Sequence, residues 1–393
     1  MPRPEPLYQW ADRVATRFPN LSRCQARLLA WYSFGLVLAQ ACGLDRVALA
    51  LAALVGQSDG TVRQRLREFY RPAGAKRGRA RTQLDPTACF APLLAWVVDG
   101  WPERRLALAI DATALGDRLT VLAVSAVYRG CGVPVAWAVL RGNEPGAWNP
   151  HWARLLAALR ARLDPSWTVL VLSDRGLESA ELFRAVVGLG WHPLMRAKAG
   201  GCFRPAGWRR WHRLRRFAPR PGARRQVRGQ AYRLAAARLD CTLLARWDEG
   251  HEAPWLVLTD LAPEAADAAW YGWRAWAEQS FKVMKRGGWQ WQRTRMAEPE
   301  RAERLWAALA VATLWLLEVG GAAEAAIAAE TVPRCPAPAR RHAVFRRGLA
   351  VLGAALMAGS APAGRFVPEA WPEPATEAGP PLTEESLLLD TSP

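Results

Sequence analysis

The sequence of 393 residues has few of the residues that build disulfide frameworks, zinc sites and hydrolase triads. Its seven cysteines are odd in number, dispersed and without a CxxC pair, which argues against a disulfide scaffold and favours a reducing cytoplasm. The five histidines show no metal-ligand spacing, and GxSxG is absent. The N-terminal stretch MPRPEPLYQWADR does not resemble a signal peptide. Residues 28–44 are apolar but contain Ser33, Gln40 and two glycines, so we expect a buried helix and no membrane span.

Lysine is also scarce, since only four of the 53 basic residues are lysines and the other 49 are arginines. The net charge of +18 predicts a polyanionic partner, nucleic acid first and an anionic membrane surface second. A GC-rich genome explains abundant arginine but does not explain why the charge is clustered. Residues 196–238 carry fourteen basic residues and no acidic one, and residues 63–81 carry eight basic residues and one acidic residue. The charge therefore marks two basic segments, and the Pro- and Glu-rich residues 361–393 form an acidic tail that we expect to be disordered.

The first 85 residues have a helical pattern. A Gly-containing turn with capping candidates Ser58 and Asp59 precedes an Arg-rich helix over residues 61–70. This arrangement is typical of a helix-turn-helix that binds DNA, and an ordinary helical hairpin with a solvated basic face explains it equally well. The basic side chains of this helix that we predict to contact DNA are Arg63, Arg65 and Arg67. Residues 71–87 are rich in Pro, Gly and Arg and are predicted to be a linker.

From residue 104 the hydrophobic period changes from helical to strand-like. The predicted order up to residue 196 is β-β-β-α-β-α-β, with strands at 106–110, 119–127, 133–140, 167–172 and 192–196 and helices at 149–163 and 178–189. An antiparallel opening followed by helical crossovers predicts an α/β fold with a mixed sheet flanked by helices.

Two aspartates end predicted strands, Asp111 after the first and Asp174 after the fourth. If these strands are neighbours, the two carboxylates converge at the carboxyl edge of the sheet. Paired carboxylates suit Mg²⁺ or Mn²⁺, which prefer hard oxygen ligands. A single strand-end aspartate is more often a turn or cap residue, so the metal hypothesis depends on the pairing.

A third carboxylate lies on a helix predicted over residues 265–287. At about 100° per residue, one face of about 80° gathers a carboxylate, a phenol and three cations. The residues of this face are Tyr271, Arg274, Glu278, Lys282 and Lys285. A solvated face with ion pairs four residues apart is the simpler explanation. A metal-binding glutamate flanked by phosphate-binding cations is what phosphodiester chemistry requires.

The spacing of Tyr271, Arg274, Glu278 and Lys285 resembles the Y-(2)-R-(3)-E-(6)-K signature of a large group of bacterial insertion-sequence transposases, which are DDE enzymes with an RNase H-like core. The contexts Ala109-Ile-Asp111-Ala-Thr and Val171-Leu-Ser-Asp174-Arg-Gly resemble the other two DDE positions. The likeness extends over about residues 20–320.

The resemblance implies that Asp111, Asp174 and Glu278 are catalytic and hold two Mg²⁺ or Mn²⁺ ions. It also implies that Tyr271, Arg274 and Lys285 contact phosphates near the cleaved DNA end, together with Lys282 on the same face. In relatives, a β-rich insertion between the second Asp and the Glu contacts the element end. Here the corresponding segment contains Trp208, Arg209, Arg210 and Trp211. The two tryptophans are candidates to stack on a flipped base, and a structural role is the alternative for both in a chain with 21 tryptophans.

The expected organisation has six parts. These are an all-α N-terminal DNA-binding domain with linker (1–87), the first part of the RNase H-like core (88–196), a basic β-rich insertion (197–260), the second part of the core (261–320), a C-terminal helical region (321–360) and the acidic tail (361–393). The predicted function is cut-and-paste transposition on double-stranded DNA by a homodimer in the cytoplasm. A decayed transposase that only binds DNA as a regulator, and an RNase H-like nuclease without strand transfer, are the alternatives.

Overall fold

The computed structural model of the chain describes residues 4–76, 81–142, 147–330 and 343–374, together with residue 383. Over these residues the chain forms ten α-helices and one sheet of ten strands. The mixed α/β architecture with an N-terminal helical region and an RNase H-like sheet confirms the predicted fold class.

Four helices build the N-terminal region: α1 (Glu5–Arg17), α2 (Arg23–Ala39), α3 (Leu44–Val55) and α4 (Asp59–Tyr70). The turn between α3 and α4 has the predicted capping residue, because the Ser58 side chain accepts a hydrogen bond from the amide of Thr61. Gly56 ends α3 with φ of 63°, a left-handed conformation that favours glycine. Helix α4 buries Val62, Leu66 and Phe69, so its Arg-rich face points away from the core.

The first five strands form the part of the sheet that carries the two aspartates. They are β1 (Arg105–Leu115), β2 (Leu119–Tyr128), β3 (Cys131–Arg141), β4 (Thr168–Ser173) and β5 (His192–Arg196). Their order is β3-β2-β1-β4-β5, in which β1, β2 and β3 are antiparallel and β4 and β5 run parallel to β1. Because α6 (Asn149–Arg160) and α7 (Ala180–Gly188) make the crossovers, this is the RNase H-like arrangement that the sequence predicts.

The basic insertion continues the same sheet. Its strands are β6 (Cys202–Pro205), β7 (His212–Arg213), β8 (Arg224–Ala231), β9 (Leu239–Arg246) and β10 (Trp255–Thr259). Strand β10 pairs antiparallel with β5, and the order continues outward as β10-β9-β8-β6-β7. The arginine-rich segment therefore forms the far edge of the sheet that also holds the aspartates.

The predicted long helix over residues 265–287 is broken into three pieces. A 3₁₀ helix, Ala268–Arg274, leads into α8 (Ala275–Lys282), which ends in a wider π-type turn, Val283–Gly287. Within that turn Lys285 has non-helical angles of φ −90° and ψ −116°. The change of pitch alters the angle between successive side chains, so the predicted five-residue stripe does not form one continuous face.

Helix α9 (Pro299–Glu330) is the central helix of the core. It is long and apolar enough to cross a membrane by length and composition, yet 94% of its apolar window is buried inside the protein. Such burial is typical of a core helix. The pair of α2 and α3, which meet at 95°, is also long and apolar enough to cross a membrane as a single broken span. Helices α5 (Thr87–Val98) and α10 (Val344–Met357) complete the helical layer.

Residues 361–374, which composition assigns to a disordered tail, pack on the protein instead; we call them the C-terminal strap. Phe366 is buried, and its ring meets Tyr128 edge-to-face at 4.9 Å between centroids. Trp371 contacts Trp270 and Trp273. The two aromatic residues therefore anchor a segment that is otherwise rich in Pro and Glu. Residues 375–382 and 384–393 of the predicted tail lie outside the described residues.

Candidate active site

The sheet places Asp111 and Asp174 side by side. Strands β1 and β4 pair in parallel up to Ile110 and Ser173, and the two aspartates are the next residues along each strand. Asp174 ends its strand as predicted and accepts a hydrogen bond at Oδ1 from the amide of Arg175 at 2.7 Å. Asp111 differs from the prediction because β1 continues to Leu115 through its pairing with β2. Neighbouring parallel strands thus bring the two carboxylates to one edge.

A single guanidinium joins these carboxylates to the third. Arg274 Nη1 donates to Glu278 Oε1 at 2.6 Å, one helical turn away. Arg274 Nη2 lies 3.4 Å from Asp111 Oδ2 and 3.3 Å from Asp174 Oδ2. The Arg274 side chain is 14% exposed, whereas Glu278 is 50% exposed. Carboxylates from β1, β4 and α8 therefore converge on one half-buried cation.

Burial and charge act against each other at this centre. Burial raises the pKa of Asp111 above its usual value, while the charge of Arg274 opposes the rise. Burial likewise disfavours the charge of Arg274, but Asp111 and Asp174 outweigh that effect, and the pKa of Arg274 lies above its usual value. The arrangement keeps the guanidinium charged and surrounded by acceptors.

The three carboxylates fit a hard divalent cation by their chemistry, since all are oxygen donors and all already converge on one positive group. In the part of the chain that the structure describes, no three His, Cys, Asp or Glu side chains are grouped closely enough to hold a metal ion. Arg274 lies between the carboxylates, which surround its guanidinium.

Tyr271, which the sequence places on the same helix face as Glu278, is buried in the structure. It is 3% exposed, and its ring packs edge-to-face on Trp255 at 5.5 Å. Burial raises its pKa to about 12. The 3₁₀ pitch of Ala268–Arg274 turns this phenol into the core, while the predicted α-helix placed it on the same face as Glu278.

A groove of about 990 Å³ extends from the carboxylates between β1 and the end of α8. Asp111 and Glu278 line it together with four cations: Arg118, Lys282, Lys285 and Arg286. Lys282 is exposed, and Lys285 Nζ donates to the carbonyl of Ala114 at 3.0 Å. The sequence pattern identified the two lysines and missed both arginines. Arg286 is adjacent to Lys285, and Arg118 lies in the β1–β2 turn, a position that helical periodicity does not reveal.

We expect Lys282→Ala to weaken DNA binding and to lower the slope of log affinity against log salt by about 0.7 to 0.9, the loss of one phosphate contact. Titration of a fluorescent oligonucleotide at several salt concentrations measures this slope. Arg162→Ala is the matched control, because exposed Arg162 precedes the amino end of β4 whereas Asp174 follows its carboxyl end. An equal loss of slope in both variants would refute a specific contact at Lys282.

The predicted residues of the insertion lie at the outer edge of the sheet, near β7. Trp208 is half-buried and contacts His212 edge-to-face at 5.3 Å. Trp211 lies between two cations, with the guanidinium of Arg204 at 5.0 Å and that of Arg238 at 5.6 Å from its ring. These contacts give both tryptophans structural partners. The adjacent Arg209 and Arg210 are exposed.

The N-terminal arginines have three different surroundings. Exposed Arg63 forms an ion pair with Asp45 on α3. Arg65 lies over the ring of Trp31 at 4.8 Å and donates to Gln57 Oε1 at 3.2 Å. Arg67 is half-buried. Helix α4 therefore does not present its three arginines as one uniform basic face.

The strand order and the helical crossovers define an RNase H-like fold. Residues 116–315 match the family described as Transposase DDE domain, a span of half the chain that starts just after Asp111 and contains Asp174 and Glu278. The chain belongs to this family of transposases. No curated protein matches the chain in the comparison.

Proposed function

We propose that this transposase cuts DNA at the ends of an insertion sequence and joins the freed 3′ ends to target DNA. The observation that carries the proposal is the convergence of Asp111, Asp174 and Glu278 from three elements at the edge of an RNase H-like sheet. The Y-(2)-R-(3)-E-(6)-K spacing supports the cut-and-paste group in particular.

In this proposal the three carboxylates hold two Mg²⁺ or Mn²⁺ ions. When bound, such ions activate the attacking oxygen and stabilise the leaving oxygen of a phosphodiester. The protein's own residues supply the rest. Asp111 is fixed by the pairing of β1 with β2, and Asp174 directly follows β4. Glu278 is carried by α8, and the cations of the groove bind the phosphates of the strand. Arg274, which joins the three carboxylates in this structure, is the residue of the signature that we propose to contact a phosphate in the DNA complex.

The insertion edge and α4 support a second contact with double-stranded DNA. Exposed Arg209 and Arg210 provide sequence-independent charge at the sheet edge, and Arg63 on α4 is the most exposed of the three N-terminal candidates. Two element ends must be held together for the reaction, so we propose a homodimer in the synaptic complex, acting on chromosomal DNA in the cytoplasm.

The test uses purified full-length protein and a duplex that carries the terminal inverted repeat flanking the gene. We expect cleavage at the repeat in Mg²⁺ and loss of at least about a thousandfold in rate in excess EDTA, restored by Mn²⁺. Products in which donor and target are joined show strand transfer. Binding without cleavage in either metal would favour a DNA-binding regulator, and cleavage without joined products would favour a plain nuclease.

A further inference from the structure

The C-terminal strap connects three regions that are far apart in sequence: the N-terminal helices, the end of β2 and the segment that precedes Glu278. We propose that the strap fixes the position of the Arg274–Glu278 segment, and that Trp371 is a positioning residue for DNA strand cleavage. The expected effect on DNA cleavage rests on the proposed function. The expected effect on the structure of the segment rests on packing geometry alone.

The first end of the strap is anchored to the N-terminal region. Arg13 Nη2 donates to the carbonyl of Gly364 at 3.1 Å, and Trp315 Nε1 donates to that of Pro362 at 3.3 Å. Gly364 sits directly against α9, where a Cβ atom would come within 2.8 Å of the Glu318 carbonyl carbon. Only glycine allows this close approach, so position 364 of the strap is fitted closely against α9.

The middle of the strap is held at the end of β2. The amide of Val367 donates to the hydroxyl of Tyr128 at 3.1 Å, and Arg129 Nε donates to the carbonyl of Val367 at 2.7 Å. The Tyr128 ring itself is buried against Phe366 and Gly321; a Cβ on Gly321 would lie 1.9 Å from the tyrosine oxygen. Backbone hydrogen bonds and ring packing together fix the path of the strap at this point.

The last part of the strap reaches the 3₁₀ helix that leads to Arg274. The ring of Trp371 packs on Trp270 and Trp273, at 5.5 and 5.1 Å between centroids. Trp270 Nε1 donates to the carbonyl of Pro372 at 3.0 Å. On its other side Trp371 lies 5.9 Å from the guanidinium of Arg105 on β1. The indole therefore links the start of β1 to the segment before Glu278.

The contacted segment depends on outside support. A 3₁₀ helix has poorer hydrogen-bond geometry than an α-helix, and here it carries Arg274 at its last position. Trp273 is the residue immediately before Arg274, so movement of its indole displaces the guanidinium that joins the three carboxylates. A misplacement of about 1 Å in a catalytic geometry costs about a hundredfold in rate. Trp371 acts through Trp270 and Trp273, which makes it a positioning residue.

The activity test compares full-length Trp371→Ala and Trp371→Phe with the wild type in single-turnover cleavage at saturating DNA. We expect the alanine variant to cleave about 10 to 100 times more slowly with its DNA Kd unchanged within about twofold. The phenylalanine variant, which keeps an aromatic ring, should recover to within about threefold of the wild-type rate. Leu356→Ala is the control, because half-buried Leu356 on α10 is destabilising to remove and belongs to a different part of the core.

Amide hydrogen exchange tests the positioning role without relying on catalysis. We expect faster exchange over residues 268–282 in Trp371→Ala, with β1 and β4 unchanged, and no such effect in Leu356→Ala. Should the alanine variant not fold, Trp371→Leu takes its place in both tests. Wild-type cleavage rate and wild-type exchange in the Trp371 variants would overturn the inference. Faster exchange over 268–282 in a protein whose wild type cleaves no DNA would overturn the proposed function and support the positioning role.

Discussion

Asp111→Asn and Asp174→Asn are each expected to lower the rate of strand cleavage by at least about a thousandfold, equivalent to about 4 kcal/mol of transition-state stabilisation. Asparagine keeps the shape of the side chain and one acceptor oxygen. Asp111 uses this oxygen to accept a hydrogen bond from the amide of Ala112, and Asp174 uses it to accept one from the amide of Arg175. The substitution removes the negative charge that a divalent cation requires. Since the variants keep the fold and the basic groove, DNA affinity should change by less than about threefold.

The measurement is single-turnover cleavage of element-end DNA, with binding followed separately by fluorescence anisotropy. Because residues that act as one unit are not additive, the double variant should be no slower than either single variant. Glu264→Gln is the matched control, since Glu264 is an exposed carboxylate on the 3₁₀ turn Pro263–Ala265. Full cleavage by the Asp111 or the Asp174 variant would show that the catalytic assignment is wrong.

Arg13→Ala is expected to lower the free energy of unfolding by about 3–5 kcal/mol, the usual effect of removing one partner from a buried ion pair. Arg13 Nη2 lies 2.6 Å from Glu318 Oε1, and Glu318 is only 2% exposed. The same arginine holds the carbonyl of Gly364 in the C-terminal strap. Denaturant unfolding followed by circular dichroism measures the change.

Arg17→Ala on the same helix is the matched control for this experiment. Its partner Asp99 is 58% exposed, so the loss should be no more than about 1 kcal/mol. Burial raises the pKa of Glu318 from 4.5 to about 7, even with Arg13 beside it. The raised pKa of Glu318 contributes stability to the folded protein that is complete below about pH 4.5. This stability is lost as the pH rises through about 7. Arg13→Ala should accordingly cost more at pH 8 than at pH 5.5, and equal losses at both pH values would contradict the role given to Glu318.

Much of the core fold could be predicted from the sequence because its signals are local. Short apolar runs marked the strands, and the β-β-β-α-β-α-β order predicted a mixed sheet. The structure adds that the strands of Asp111 and Asp174 are neighbours in it. The capping role of Ser58 was also visible, since it depends on a few adjacent residues. The convergence of Glu278 with the aspartates followed from a resemblance and not from periodicity.

Features that depend on distant contacts escaped the sequence. Asp111 lies inside a strand because β2 continues the pairing beyond Ile110. The helix around Glu278 changes pitch, so Tyr271 turns inward although an ideal α-helix places it beside Glu278. Composition predicted that the strap is disordered, because it does not show that Phe366 and Trp371 pack on aromatic residues more than 90 positions away in the sequence.

Because the sheet is continuous, it fixes the distance between its arginine-rich edge and the carboxylates. Six inter-strand steps separate β4, which Asp174 directly follows, from β7, and at about 4.8 Å each they amount to about 29 Å across the sheet. With about 3.4 Å of helix axis for each base pair, this distance corresponds to about eight to nine base pairs of duplex. Because hydrogen-bonded strands keep a constant spacing, we expect the arginine edge and the carboxylates to contact DNA at a fixed distance from each other. We expect the phosphates bound at that edge to lie at a constant offset from the cut, whatever the base sequence.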